Sequence, residues 1–252
     1  MHWFIMQDGY VIMRLNWKVH IGMNESEYYE SAMSNAYKTR VAKLGKPISE
    51  EKYKGLRDYA MNRNIRISGF RNYVGDIETI KTVIDDIREI AEDFPKIIDE
   101  RNGIVLELDF DMKDEDFATT GSGHVIHLNA SYFCNIPLLK KAYSEAVTVG
   151  DFVAGTDWRA IGRHETGHVV ANTYSIDSLK LIKDVLGLDS TADIFYHLGK
   201  KLSIYSAAYN DGREIISECF SGYYSKVGNA IADAFVSRCL EVGKAGKLDE
   251  SL

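Results

Sequence analysis

A His-Glu-x-x-His run occupies residues 164–168 of this 252-residue chain. Histidines four positions apart on an α-helix lie on one face, about one turn (~5.4 Å) from each other, so both imidazoles can contact one ion. The intervening Glu165 projects elsewhere and can contact a water on that ion rather than the ion itself. The run therefore predicts a Zn²⁺ site for hydrolytic chemistry, with His164 and His168 as ligands and Glu165 as general base.

The residues around this run favour the helix that the geometry requires. The segment 155–157, Gly-Thr-Asp, can cap a helix, and apolar residues recur at helical spacing from Trp158 to Tyr174. Gly162 and Gly167 each cost roughly 1 kcal/mol relative to alanine in a helix interior. Their presence indicates either that the helix packs closely against a neighbour beneath the site or that the protein simply tolerates this loss of stability.

A catalytic zinc needs a third protein ligand and one open position for water. Glu214 and Glu218 are the candidates, one turn apart in a predicted helix over 211–220 that is capped by Asn210 or Asp211. One carboxylate can bind metal while the other holds the second ring nitrogen of a ligand histidine, and we assign this supporting role to Glu218. The alternative is a surface helix whose glutamates face water.

The chain resembles gluzincin-type metallopeptidases, in particular the lethal-factor-like catalytic domains and the similar domains of phage minor head proteins. The resemblance covers roughly residues 65–240. It is carried by His164-Glu165-x-x-His168, by Ser203-x-Tyr205-Ser206 … Asn210 … Glu214-x-x-x-Glu218-x-Phe220, and upstream by Ser68-Gly69-Phe70 … Gly75-Asp76 and the segment 123–129.

The resemblance implies roles for individual residues. Glu214 would be the third ligand, Glu165 the base, and a tyrosine the group that stabilises the tetrahedral oxyanion. In the lethal-factor-like pattern that tyrosine lies seven residues before the ligand glutamate, where this chain has Ala207. Tyr205 and Tyr209 bracket the position, and Tyr205 matches better if two residues are inserted before Glu214.

Hydrophobic patterning predicts the elements that position these residues. No internal repeat or proline-rich linker marks a firm boundary, and we expect an N-terminal accessory segment at 1–64 and a zincin-like domain at 65–245. The predicted elements are a strand or packing arm at Met1–Ile12, helices at Asn24–Leu44 and Ser49–Asn62, an amphipathic helix from its cap Asp76 to Phe94, strands at Ile104–Phe110 and His124–Leu128 with a loop at Lys113–Gly123 between them, and a helical stretch from Ile194 to Tyr205.

The expected architecture is α+β. A small, mixed, mostly antiparallel sheet would lie beside the 164–168 helix, and a helical C-terminal subdomain from about Ile176 would supply Glu214 across the cleft. The resemblance implies that the strand at 124–128 is an edge strand that pairs with an extended peptide, with His127 and Asn129 near the substrate.

The remaining histidines do not predict a second metal site. His124 and His127 are three apart on a predicted strand and therefore point to opposite faces of the sheet. His197 has no partner at metal-ligand spacing, so we interpret it as structural.

Composition narrows the function classes. The net charge of −7 provides no basic surface for nucleic acid or anionic membranes. Cys134, Cys219 and Cys239 are odd in number and show no C-x-x-C pattern, which indicates reduced thiols. The start of the chain lacks the features of a signal peptide, and no apolar stretch reaches the ~18 residues of a spanning helix. A cytoplasmic location, in a bacterial host cell or a phage virion, is the expectation.

The sequence therefore predicts a zinc-dependent peptidase acting on a peptide or protein substrate, associated with a phage or prophage and its structural proteins. The alternative is a phage structural or interaction module in which zinc only stabilises the fold and takes no part in catalysis. An intact Glu165 favours the enzyme, because a purely structural site needs no base.

Overall fold

The computed structural model describes residues 6–7, 10–11, 45–99, 103–113, 115–121, 124–209 and 211–248. The chain divides into two compact units, Met1–Ala36 and Tyr37–Leu252. In the first unit, strands β1 (Met6–Gln7) and β2 (Tyr10–Val11) pair antiparallel, in agreement with the predicted strand at the start of the chain. The predicted helix at Asn24–Leu44 lies outside the described residues.

Helix α1 (Glu50–Met61) confirms the helix predicted over 49–62, and the Ser49 side chain caps it by accepting a hydrogen bond from Lys52 N. Its residues Leu56 and Ala60 are fully buried in the core of the second unit. This helix therefore packs with the larger unit.

Four strands form a mixed sheet in the order β3-β4-β6-β5. The strands are β3 (Arg66–Ser68), β4 (Val105–Asp109), β5 (Ala118–Thr120) and β6 (Val125–Asn129). The β3/β4 and β4/β6 pairs are parallel, and only the β5/β6 pair of this sheet is antiparallel. The expectation of a mostly antiparallel sheet is wrong, because alternation along a strand reports which face is buried and not the direction of its neighbours.

The position of β5 also corrects the expected edge. The segment 113–123 was predicted to be a loop, but it contains β5, which pairs along β6 and takes the edge position. β6 therefore lies inside the sheet, between β4 and β5. A three-residue Ala-Thr-Thr strand is too short and too polar to show a period in the sequence.

One face of the sheet supports the core. Leu106 and Leu108 of β4 and Ile126 and Leu128 of β6 are buried, whereas the alternate residues are partly exposed along most of both strands. The long helix α2 (Ile77–Asp93) supplies much of the rest of the core. It was correctly predicted from its apolar stripe and its Asp76 cap, which accepts a hydrogen bond from Glu78 N.

The second half of the larger unit is helical from α3 onward, and this confirms the α+β class and the predicted helical region after Ile176. The helices are α3 (Ala130–Phe133), α4 (Ile136–Val149), α5 (Ala160–Tyr174), α6 (Ser178–Leu186), α7 (Thr191–Lys201), α8 (Arg213–Tyr224) and α9 (Ala230–Leu248). The three cysteines are buried and free. Among the described residues, none of the helices has the length and apolar character needed to cross a bilayer.

Helices α5 and α8 form the most extensive contact between two described elements, and Gly167 is the residue that permits it. A Cβ atom at Gly167 would lie 2.9 Å from the Ser217 Cα and 3.3 Å from the Phe220 Cβ. Of the two explanations for this glycine, close packing is therefore the correct one. Gly162 also permits close packing, on another side of α5, because a Cβ there would lie 3.1 Å from a methyl carbon of Val83.

Replacing Gly167 by alanine should destabilise the protein by about 1–3 kcal/mol, because the added methyl group forces the α8 backbone away from α5. Gly55 is the matched control: it lies in α1, and a Cβ there meets no atom within 4 Å. Gly55→Ala should stabilise the protein by roughly 0.5–1 kcal/mol through helix propensity alone. Urea unfolding of both variants measures the difference, and equal effects would show that the helices do not cross this closely.

Candidate metal centre

Helix α5 carries His164, Glu165 and His168. It begins at Ala160, three residues after the predicted cap, and the Asp157 carboxylate accepts a hydrogen bond from Arg159 N just before its first turn. Residues 160–167 are all buried, so the helix runs through the interior of the protein. Polar side chains at such positions need hydrogen-bonding or ionic partners, and these come mainly from α2, α8 and β5.

Helix α8 presents Glu214 and Glu218 towards α5. The helix begins at Arg213, and its N-cap is Gly212, whose φ of +71° favours glycine. The predicted cap Asp211 lies one residue earlier and accepts a hydrogen bond from Arg213 N, whereas Asn210 lies outside the described residues. Both glutamates are buried, which contradicts the alternative of a solvent-facing surface helix.

The geometry brings together the three predicted ligands. One carboxylate oxygen of Glu214, Oε2, lies 3.1 Å from His164 Nε2 and 3.3 Å from His168 Nε2. The donor atoms of the three residues all lie within 4.8 Å of one another. Tetrahedral zinc with bonds of about 2.0–2.1 Å separates its donor atoms by roughly 3.3–3.4 Å. The donor set could therefore hold a divalent ion.

Glu218 lies behind His164. Its Oε1 is 2.9 Å from His164 Nδ1, and the residue is fully buried. A carboxylate at this position accepts the Nδ1–H hydrogen. Nε2 is then the ring nitrogen that donates to Glu214 or, once it loses its proton, can bind an ion. Glu218 therefore lies where the predicted supporting role requires it.

The histidine and glutamate side chains of the cluster shift each other's pKa values. Burial lowers the pKa of His164, but hydrogen bonds to Glu214 and Glu218 outweigh it and raise that pKa to about 10. Burial raises the pKa of Glu214, but hydrogen bonds to His164 and His168 outweigh it and lower that pKa to about 2. A metal ion would replace the imidazole protons in this arrangement.

The balance of charge also fits a divalent ion. Glu165, Glu214 and Glu218 are 6%, 5% and 0% exposed. In the described part of the chain, the recorded side-chain partners of these three carboxylates are two imidazoles and one hydroxyl. Buried negative charge of this density requires positive charge nearby, which a protonated His164 or a divalent ion bound by the same donors could supply.

Glu165 does not belong to the donor cluster. Its Oε2 accepts a hydrogen bond of 2.7 Å from the Thr120 hydroxyl at the end of β5. The carboxylate is therefore adjacent in sequence to a predicted ligand histidine and is held from the sheet side. This contact separates it from the three possible metal donors.

Tyr205 lies beside the cluster, with its ring centroid 5.7 Å from that of His164. Its 3-10 turn is anchored by hydrogen bonds from Tyr205 N to Asp151 O and from Ser206 N to Ser203 Oγ. Burial and the neighbouring Glu214 raise the pKa of Tyr205 well above its ordinary value, so the phenol stays protonated and can donate a hydrogen bond.

Tyr209 is the more exposed of the two tyrosines that bracket Ala207. Its ring contacts the Arg213 guanidinium at 4.9 Å and lies 6.4 Å from the ring of Tyr205. Of the two rings, Tyr205 packs against a predicted ligand and Tyr209 packs against a surface arginine. The geometry therefore favours Tyr205 for the role that the resemblance implies.

An ion-pair network fixes the first turn of α5 against α2. Asp86 is 1% exposed and accepts hydrogen bonds from Arg159 Nε at 3.1 Å and from Arg163 Nη2 at 2.8 Å. Arg163 also donates to Ser225 Oγ at 2.9 Å, just beyond the end of α8. Because Arg163 precedes His164, this network holds the ligand-bearing turn between α2 and α8.

The structure separates the other predicted residues from the cluster. Asn129, expected to contact substrate, is fully buried, and its side chain caps α3 and donates to the backbone oxygens of Lys113 and Asp116. This is a structural role. His127 lies on β6, inside the sheet, with Nδ1 at ion-pair distance from Glu107 (3.2 Å) and Asp109 (3.6 Å), and its substrate contact stays a prediction.

His124 and His197 also lie apart from the donor cluster. His124 Nε2 is 3.2 Å from Thr173 Oγ1, and His197 is half-buried on α7. In the described part of the chain, neither of them nor His127 belongs to a group of three possible metal donors.

Three contributors to the site were missed from the sequence. Thr120 and Asp86 contact α5 across 45 and 77 positions of sequence, and no local pattern reports such pairings. Asp116 is the third: burial, Glu115 and Glu165 raise its pKa and outweigh the lowering effect of Lys113, so its charge and that of the candidate base influence each other. A three-residue strand and single aspartates carry no periodic signal, so only the fold could identify them.

A cavity of about 540 Å³ lies away from this cluster, lined by residues of α2, α8 and α9 that include Glu89, Asp93, Tyr224 and Asp233. Tyr224 is ten residues beyond Glu214, which is roughly 15 Å along a helix. Several polar groups of the cavity already pair with each other, as Tyr224 does with Asp93 and Lys226 with Glu89. The donor cluster, and not this cavity, is therefore the candidate functional site.

No family model, curated protein or solved structure matches this chain.

Asp86→Ala should destabilise the protein by about 3–5 kcal/mol, because it leaves the buried Arg163 guanidinium without its carboxylate. The adjacent Asp85 provides the control. It pairs with Arg63 at 2.9 Å but its side chain is 51% exposed, so Asp85→Ala should cost about 1 kcal/mol or less. Chemical unfolding distinguishes the two, and similar losses for both variants would contradict a buried anchor at Asp86.

Proposed function

We propose that this protein is a zinc-dependent peptidase with His164, His168 and Glu214 as the metal ligands. The observation that carries the proposal is the convergence of these three donors beside a buried carboxylate, Glu165, that is not one of them. A catalytic zinc site combines three protein ligands, an open position and a nearby base. A surface cluster of acidic residues would lack this division of roles.

Each residue has a distinct part in the proposed reaction. Zinc, when bound, supplies Lewis-acid chemistry to the scissile carbonyl and to the attacking water. Glu165 takes the proton of that water and passes it to the leaving amine nitrogen. The protonated Tyr205 phenol donates a hydrogen bond to the oxyanion that forms on the former carbonyl oxygen. Glu218 keeps His164 in the tautomer that ligation requires.

The proposed substrate is an extended peptide. Strand β5 pairs with β6 on one side and has no other strand neighbour in the described sheet, so its free backbone groups could pair with a peptide strand. Thr120 ends this strand and contacts Glu165, so a peptide aligned on β5 would lie near the base. This proposal moves the peptide-binding edge from the 124–128 strand to β5.

The association with phage comes from the resemblance alone. The motif residues resemble those of lethal-factor-like domains and of the similar domains in phage minor head proteins. We therefore propose a phage or prophage protein whose substrate or partner includes a phage structural protein.

One observation favours the second candidate, a structural module that keeps zinc as a staple. The side chains of His164 and Glu214 are only 10% and 7% exposed, and that of His168 is 20% exposed. Closed sites are typical of structural zinc. The presence of Glu165 and Tyr205 beside the donors supports the enzyme, and the Glu165 experiment below separates the two candidates.

The purified protein should bind about one equivalent of zinc, and the two α8 glutamates should differ in their effect. Glu214→Gln removes a ligand and should weaken zinc binding by more than ~100-fold, whereas Glu218→Gln should weaken it by about 10–100-fold, as is usual for groups that orient a ligand. Competition titration with a chromophoric chelator measures both constants.

Glu145→Gln is the control, because Glu145 lies on the exposed face of α4, where its recorded ion pair is with Lys141. Its zinc affinity should equal that of the wild type. A reversed ranking of Glu214 and Glu218 would identify Glu218 as the ligand. Failure of the wild type to bind zinc would overturn the proposed function.

Glu165→Gln should retain zinc and stability but lower peptide turnover by roughly 10²–10⁴-fold, because glutamine keeps the side-chain shape and cannot act as a base. A peptide library identifies a substrate for the wild type, and single-turnover rates then compare the variants. Tyr205→Phe, which keeps the ring contacts, should reduce turnover by a smaller factor.

Wild-type cleavage rates in Glu165→Gln would contradict the mechanism. A wild type that binds zinc but cleaves no peptide in the library would favour the structural module instead.

A further inference from the structure

We propose that Thr120 positions the Glu165 carboxylate for catalysis and thereby links the edge strand β5 to the active-site helix. The inference deepens the proposed peptidase function and depends on it. It assigns a role to a residue that the sequence analysis did not consider.

The Thr120 side chain projects from the sheet towards α5. In the β5/β6 register, Thr120 is opposite Ile126 and Ala118 is opposite Leu128, so both project to the buried face of the sheet, next to α5. Thr119 is opposite His127 and projects to the other face. Of the two adjacent threonines, only Thr120 is therefore in position to contact the helix.

The Thr120 hydroxyl contacts two oxygen atoms of the same residue. Its Oγ1 lies 2.7 Å from Glu165 Oε2 and 3.0 Å from the Glu165 backbone oxygen. Glu165 is 6% exposed, and Thr120 is its recorded side-chain hydrogen-bond partner in the described part of the chain. A buried carboxylate with one partner depends on that partner for its orientation.

The 2.7 Å contact suits a base that gains and loses a proton in each turnover. While Glu165 is a carboxylate, the Thr120 hydroxyl donates its hydrogen to Oε2. The proton taken from water goes to the other carboxylate oxygen, Oε1, so Oε2 remains an acceptor for the same hydroxyl hydrogen. The base therefore keeps a partner throughout the cycle.

The same contact connects substrate alignment with the base. A peptide that pairs with the free edge of β5 would adjust the position of this three-residue strand, and Thr120 transmits the position of the strand to Glu165. Displacement of a catalytic group by as little as ~1 Å can cost 10²-fold in rate. Thr120 therefore acts through Glu165 and does not contact the ligands of the zinc.

The test compares Thr120→Val, which removes the hydroxyl but keeps the shape and strand propensity, with Thr120→Ser, which keeps the hydroxyl. Thr119→Val is the matched control, because it makes the same change on the same strand but on the opposite face. All three are measured as zinc-loaded full-length protein on the best peptide found for the wild type. Zinc content and melting temperature confirm that each variant is folded and loaded.

Thr120→Val should lower kcat by about 10–100-fold, as is usual when a group that orients an active-site residue is removed. KM and zinc affinity should change much less, and Thr120→Ser should recover most of kcat. Thr119→Val should affect kcat much less than Thr120→Val. If Thr120→Val does not fold, Thr120→Ala replaces it in the comparison with Thr120→Ser.

A double-mutant cycle provides the decisive measurement. In the Glu165→Gln background, Thr120→Val should cause little further loss of rate, because the group that it positions is no longer a base. An additive loss in that background, a change confined to KM, or no recovery by Thr120→Ser would each overturn the inference while leaving the peptidase proposal intact. A zinc-loaded wild type without peptidase activity would instead reject the proposed function, and this inference with it.

Discussion

The candidate metal centre depends on how closely α5 and α8 cross. At Gly167 the two backbones approach so closely that a Cβ atom would lie 2.9 Å from the Ser217 Cα. Ser217 lies next to Glu218, and Gly167 lies next to His168, so this crossing sets the distance between the two sets of polar side chains. A wider crossing would increase the separation of Glu214 from both imidazoles, which is now 3.1–3.3 Å. The cost of a glycine in the helix interior is thus offset by the approach that it permits.

Buried charge is the second constraint, and the protein meets it in two different ways. At the first turn of α5, Asp86 faces two arginines, so the negative charge is paired within the protein. One turn along, Glu214 and Glu218 face a histidine whose raised pKa of about 10 shows how strongly the site favours positive charge. A protonated histidine can release its proton and bind a metal ion instead, whereas arginine stays protonated and cannot bind a metal ion. The first turn of α5, with its arginines, is therefore suited to a structural role, whereas the following turn, with its histidines, is suited to metal binding.

The sequence predicted most of what depends on local spacing. His164 and His168 share a helix face because they are four residues apart, and the stripe and Asp76 cap of α2 lie within one continuous segment. The sequence also predicted that Glu218 supports a ligand histidine, because this carboxylate lies one turn from Glu214, but only the fold identifies His164 as that histidine. These arguments need only the period of a helix and the preference of each residue type. They do not need the arrangement of the helices in space.

The features that escaped prediction depend on chain segments meeting at a distance. The direction of β4 relative to β6 follows from the route of the chain through β5, which alternation along either strand does not report. The interior position of β6 has the same origin, because the edge was taken by a strand of three residues. Thr120 illustrates why such features matter for function: an ordinary threonine in a short polar segment becomes the partner of the candidate base only because β5 folds back antiparallel on β6. The residues proposed to bind a metal can be recognised from their own spacing, whereas the residue proposed to orient the base becomes recognisable only when the topology is known.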